Sequence, residues 1–161
     1  MKALIATAAL LAASPLAAEP TSEQSEVIAA ADAFFAALRS DDKTALARVM
    51  EPDGVIYVHN RTDSAAPEVI VVPVARHLAK WLTSPTGVDE VMEYTTVLVT
   101  GDMAQVWGPY RFILDGETSH CGINSLGFVK RAEGWKVANT SFTMERPDRC
   151  EALGAPEVPA Q

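Results

Sequence analysis

Apolar residues recur first at helical spacing and later in strict alternation, and the change of period divides the chain. Val27, Ala31, Phe34 and Leu38 form one stripe with Ile28 and Phe35 beside it, while Asp32 and Arg39 fall mostly elsewhere. Thr21 with Gln24 three residues later has the form of a capping box, so the pattern predicts an amphipathic helix of about 17 residues. Leu46, Val49 and Met50 mark a second, short helix that Asp41 or Asp42 caps and that Pro52 and Gly54 stop. "GVIYVHN", Gly54 to Asn60, reads as a strand with Val55, Tyr57 and His59 on one face and Ile56 and Val58 on the other. After the polar loop "RTDSAAPE", Val69 to Val72 is extended. Pro73 then opens a third helix that buries Val74, Leu78, Trp81 and Leu82 and ends at Ser84, Pro85 and Gly87.

From Val88 the period is two. It predicts strands over Val91–Thr100, Met103–Leu114, Thr118–Lys130 and Trp135–Met144, with turns at Gly101-Asp102, Asp115-Gly116 and Ala132 to Gly134. Pro109 suggests an edge position or a bulge. Three helices followed by four consecutive antiparallel strands is an α+β arrangement. Long strands with a Pro and several Gly imply a curved sheet whose concave side receives the helices.

The two ends change the picture of compartment. "MKALIATAALLAASPLAAEP" has a basic Lys2, an apolar run from Leu4 to Ala13 and small residues ending at Ala17 and Ala18. This is the layout of a secretory signal peptide over residues 1–18, and the apolar run is too short to span a bilayer. The expected mature protein is a single domain over residues 19–150 with a flexible tail at 151–161, secreted and periplasmic, with no membrane attachment after cleavage. The formal charge of −8 becomes −9 once Lys2 is removed. An acidic chain without a basic cluster is a poor partner for nucleic acid. The two cysteines, Cys121 and Cys150, suggest one disulfide in an exported chain; the rival reading is a free Cys121 nucleophile.

The order of elements and two local motifs resemble the nuclear transport factor 2-like superfamily, which includes SnoaL-like cyclases and ketosteroid isomerases. The residues that carry the resemblance are "AADAFFAALRSDDKTALARVMEPDGVIYV", Ala30 to Val58, and "VKRAEGWKVANTSF", Val129 to Phe142. "VWGPYRFILDGETSHCGINS" looks like a secreted, uncharacterised branch. The resemblance implies a cone with three N-terminal helices packed into a strongly curved antiparallel sheet, an apolar cavity inside, and a homodimer formed through the outer sheet face. Its members include lyases, isomerases and pure binding domains, so fold does not supply activity. No catalytic motif of an enzyme member matches a set of positions in this sequence.

"SHCGINS", Ser119 to Ser125, holds the most chemistry. Strand alternation separates His120 from Cys121, placing His120, Gly122, Asn124, Leu126 and Phe128 on one face and Cys121, Ile123 and Ser125 on the other. A Cys–His pair needs hydrogen-bond reach, which adjacent strand residues lack unless a bulge at Gly122 rotates one of them. His120 and Asn124 beside Leu126 and Phe128 read as the polar end of an apolar cavity. Tyr57 and His59 on the first strand, His77 and Trp81 on the third helix, and Trp107 and Tyr110 near Pro109 complete the expected ligand-binding set. The sequence shows no histidine spacing suited to a metal, so neither metal nor cofactor is expected. The preferred expectation is a binding domain for a small, mainly apolar molecule. The alternatives are a lyase, isomerase or cyclase with His120 as general base, and a homodimeric interaction module without ligand.

Overall fold

A computed structural model of the chain describes residues 19–158. The expected signal peptide lies outside the described residues. Helix α1, Ser22–Arg39, begins with the expected capping box: the Gln24 amide donates to Thr21 Oγ1 (3.2 Å) and the Thr21 amide to Gln24 Oε1 (2.9 Å). It buries Val27, Ala31, Phe34, Phe35 and Leu38. Helix α2, Ala45–Val49, follows a loop in which Asp42 accepts from the Thr44 amide and pairs with Arg48. Helix α3, Val74–Trp81, starts directly after Pro73 and turns Val74 and Trp81 inward.

Seven strands form one sheet: β1 Met50–Asn60, β2 Glu68–Pro73, β3 Val88–Met92, β4 Thr96–Thr100, β5 Met103–Leu114, β6 Glu117–Arg131 and β7 Gly134–Met144. Their order is β2-β1-β7-β6-β5-β3, with β4 also paired to β5. The sheet is curved and encloses the helices, giving the expected α+β cone. Three features differ from expectation. The sheet is mixed rather than antiparallel throughout, because β1 runs parallel to β7. β1 begins at Met50 instead of Gly54. A register shift between Met50 and Val55 absorbs Pro52 to Gly54, and a Cβ on Gly54 would overlap the Ala138 carbonyl oxygen. The single strand expected over Val91–Thr100 is two strands, β3 and β4, which pair with successive halves of β5.

That break explains Pro109, which lies inside a strand with partners on both sides rather than at an edge. The chain between β3 and β4 swings past it: the Glu93 amide donates to Pro109 O (3.0 Å), and the Thr95 amide to Trp107 O (3.0 Å). Pro109 needs no partner for an N–H it does not have. Neighbouring Gly108 leaves room for the Glu93 carbonyl, which a Cβ would overlap.

The main core lies between α1, α3 and the concave face and includes Phe34, Phe35, Leu46, Val106, Leu126 and Phe128. A smaller cluster, Cys121, Cys150 and Ala155 with Leu153, sits on the convex side. Cys121 and Cys150 form a disulfide with a Cα–Cα distance of 5.6 Å, which removes the free-nucleophile reading. In the segment expected as a flexible tail, Ala155 is buried, its amide donates to Cys150 O, and Pro156 O accepts from Arg111 Nε.

Candidate functional site

Two cross-strand rows on the concave face build the site. Glu90, Phe112 and His120 are directly opposed across β3, β5 and β6. Val58, Phe142, Asn124 and Gly108 form the second row across β1, β7, β6 and β5. Residues opposed in register project from the same side of a sheet, so both rows face the helices. Phe34 and Leu38 of α1 and His77, Lys80 and Trp81 of α3 close the space above them into a cavity of about 450 Å³.

The walls are apolar and the polar groups few. His120 stacks on Phe112, with ring centroids 4.8 Å apart and planes 17° from parallel, and meets Tyr110 edge-on at 5.9 Å. Its Nδ1 lies 3.2 Å from Ser119 Oγ. Burial pushes the imidazole pKa down to about 4, so the ring is neutral at neutral pH. The Tyr110 hydroxyl donates to Thr143 O (2.8 Å), and burial followed by nearby Glu90 moves its ionisation far upward.

Glu90 is the most buried carboxyl among the described residues, 8% exposed, and Asn124 beside it is 4% exposed. Asn124 Nδ2 donates to Glu90 Oε1 at 2.9 Å. Burial pushes the Glu90 carboxyl up to about 8. Asp89 adds to the rise, while the Asn124 hydrogen bond and Arg39 oppose it. Glu90 is therefore mostly a neutral acid at neutral pH. Asn124 Oδ1 is buried with no partner, and so is Trp81 Nε1. An unpaired buried polar atom costs about 1–3 kcal/mol, a cost that a ligand group supplying the missing hydrogen bond removes.

The cavity brings together His77, Trp81, Tyr110, His120 and Asn124 of the expected set. Tyr57, His59 and Trp107 lie elsewhere, which corrects the expectation that they share the site. Tyr57 and Trp107 belong to a convex row, Val71–Tyr57–Ser141–Ser125–Trp107–Thr96, and are 41% and 49% exposed. His59, two residues after Tyr57, points the same way and meets Ser141 Oγ at 3.0 Å through Nε2. The cavity side of β1 is Ile56 and Val58. Among the described residues no three of His, Cys, Asp and Glu gather as a metal site would require. Sequence reasoning missed Glu90. The alternation Val88, Glu90, Met92 puts an acid at an inward position, whereas the expected strand begins at Val91, three residues after the start of β3.

No family model matches the chain, and no curated protein matches it. Solved structures do. A nuclear transport factor 2-like protein of unknown function from Silicibacter pomeroyi superposes with a TM-score of 0.57 at 14% identity, over 76% of this chain and 95% of its own. The chain has the nuclear transport factor 2-like fold. A ketosteroid isomerase-like protein from Erwinia carotovora gives a TM-score of 0.56 at 20% identity, over 76% and 96% of the two chains. A further nuclear transport factor 2-like protein, from Cytophaga hutchinsonii, gives 0.60 at 12% identity, over 77% and 99%. Identities this low carry the cone architecture and leave chemistry to the residues inside it.

Proposed function

We propose that this chain is an exported binding protein for a small, mainly apolar molecule held in the cone, with Glu90, Asn124 and His120 as its polar end. One observation carries the reading: a buried Glu90–Asn124 pair with an unpaired Asn124 Oδ1, in a mainly apolar cavity of about 450 Å³. The size suits a ligand of one or two rings. The experiment is a thermal-shift titration with apolar one- and two-ring compounds. A ligand at about a hundred times its Kd stabilises the fold by about 2.7 kcal/mol, which raises the Tm by roughly 8 °C for a domain of this size. The variant Val58→Trp, which fills the cavity, abolishes the shift. A flat response to every compound would rule the reading out. Export fits the disulfide, since such bonds persist in oxidising compartments. The homodimer remains part of the proposal, through the convex face where Tyr57, Val71 and Trp107 are exposed, and sedimentation of the mature chain tests it.

A second reading is proton-transfer catalysis of the lyase, isomerase or cyclase type. It is favoured by a neutral base, His120, and a protonated acid, Glu90, lining the same cavity. In this reading His120 accepts a proton from the ligand and Glu90 donates to the oxygen on which charge develops. Turnover that is lost in both His120→Ala and Glu90→Gln would support it. Ligand binding without any chemical change across such a panel would leave the binding reading alone.

A further inference from the structure

The Glu90–Asn124 pair specifies more than polarity. Asn124 lines the cavity and carries one buried acceptor, Oδ1, with no partner, and its amide is held in place by donation to Glu90 Oε1. As a neutral acid, Glu90 has one O–H to donate. The hydrogen-bonded pair therefore offers a ligand one donor and one acceptor. A ketone or ester would take the donor and leave Asn124 Oδ1 unpaired. An amine would require an ionised Glu90 in a site walled by Phe34, Leu38, Tyr110 and Phe112. A group with an adjacent N–H and C=O satisfies both atoms without separating charge. The aromatic faces of Phe112 and Tyr110 suit a flat body attached to it.

We propose that the cavity selects amides, in particular lactams on a flat apolar body, whose N–H donates to Asn124 Oδ1 and whose C=O accepts from the Glu90 carboxyl; this rests on the ligand-binding reading above.

The charged and titratable groups that surround Glu90 set the pH behaviour. They are Arg39 on α1, His77 and Lys80 on α3, Asp89 on β3, Tyr94 after it, Tyr110 on β5 and His120 on β6. Arg39 opposes the rise but is directed to Asp89 (2.8 Å) and to the Glu90 backbone carbonyl (3.2 Å), burial keeps His77 and His120 neutral, and among the described residues neither Arg39 nor Lys80 forms an ion pair with the Glu90 carboxyl. Lactam affinity therefore falls as pH rises through about 8, where Glu90 loses the proton it donates.

The test is calorimetric titration of the mature chain with 2-quinolinone, N-methyl-2-quinolinone and naphthalene at slightly acidic pH. The first is expected to bind roughly ten- to a hundredfold more tightly than the other two, since each of those leaves a buried polar atom unpaired. Glu90→Gln keeps a donor and an acceptor at the same place. It should retain the preference and make it independent of pH, whereas Asn124→Leu should erase it. Equal affinities for 2-quinolinone and naphthalene would overturn the amide inference and leave the apolar-ligand reading standing. Failure of all three to bind would overturn both. Tighter binding of 2-(aminomethyl)naphthalene, lost in Glu90→Gln, would replace the amide with an amine and so also overturn it.

Discussion

Glu90 and His120 flank the same ring: Glu90 is opposed to Phe112 on β5, and Phe112 is opposed to His120 on β6. The three side chains share one face. The acid and the imidazole are therefore held in one apolar enclosure, and burial acts on them in opposite senses. It keeps Glu90 protonated up to about pH 8 and His120 unprotonated down to about pH 4.

The Glu90 shift makes the fold less stable as pH rises. Its folded pKa of about 8 lies above the unfolded value of 4.5, so the unfolded chain ionises first and stability falls progressively from the unfolded pKa up to the folded one. The full span corresponds to at most about 5 kcal/mol. Glu90→Gln keeps the shape and the hydrogen bond from Asn124 but cannot ionise. In urea denaturation the variant should match wild type near about pH 5 and exceed it by several kcal/mol near about pH 9. Parallel pH profiles would show that Glu90 is already ionised in the fold.

His120 acts in the reverse direction. Its folded pKa of about 4 lies below the unfolded 6.5, so the unfolded chain gains a proton first and stability falls as pH drops through that window, by at most about 3 kcal/mol. His120→Leu preserves an apolar contact on Phe112 and has no proton to gain. The acid limb of the stability curve should flatten in this variant. An NMR titration of the His120 ring in wild type should show no protonation above about pH 5. A ring that titrates near its ordinary value would remove the neutral base from the site.

The legible parts of this chain were those fixed by neighbours in sequence. The Thr21/Gln24 cap, the Asp115-Gly116 hairpin and the division of His120 from Cys121 all follow from local spacing, and the structure shows each of them. What failed depended on distant partners. On β1 both faces carry apolar residues, and only pairing with β7, some 85 residues later, decides that Ile56 and Val58 face in while Tyr57 and His59 face out. Trp107 misled for the same reason, since an aromatic on a strand is equally at home on either face. Glu90 was hidden because its burial comes from α1, β5 and β6, none of which is near it in the sequence.

Gly108 tests whether the break between β3 and β4 matters to the site. The Glu93 carbonyl passes where a Cβ would stand, and the obstruction is backbone rather than a movable side chain. Gly108→Ala should cost about 3 kcal/mol or more, since overpacking against fixed atoms forces the chain to shift. The shift would move β3 and with it Glu90, so ligand response should weaken alongside the Tm. Gly101→Ala is the control: that turn has a positive φ of 61° but no atom near a new Cβ. It should lose about 1 kcal/mol from backbone strain alone and keep its ligand response.

The disulfide and the cavity occupy opposite sides of the same strand, and that makes them separable. Cys121 faces the convex side, where it and Cys150 pack with Ala155 and Leu153, while His120 and Asn124 face the helices. Reduction releases a loop of about 30 residues and should destabilise the fold by roughly 3.5 kcal/mol on the chain-entropy account. Denaturation with and without reductant measures this. The cavity residues inside that loop, Asn124, Thr140, Phe142 and Met144, are held by strand pairing and none lies after Met144, so the Kd of a bound apolar compound should stay within about twofold under conditions where the reduced protein is still folded. A large loss of affinity on reduction would mean that the segment after Met144 shapes the cavity from outside, and that the convex cluster belongs to the binding site.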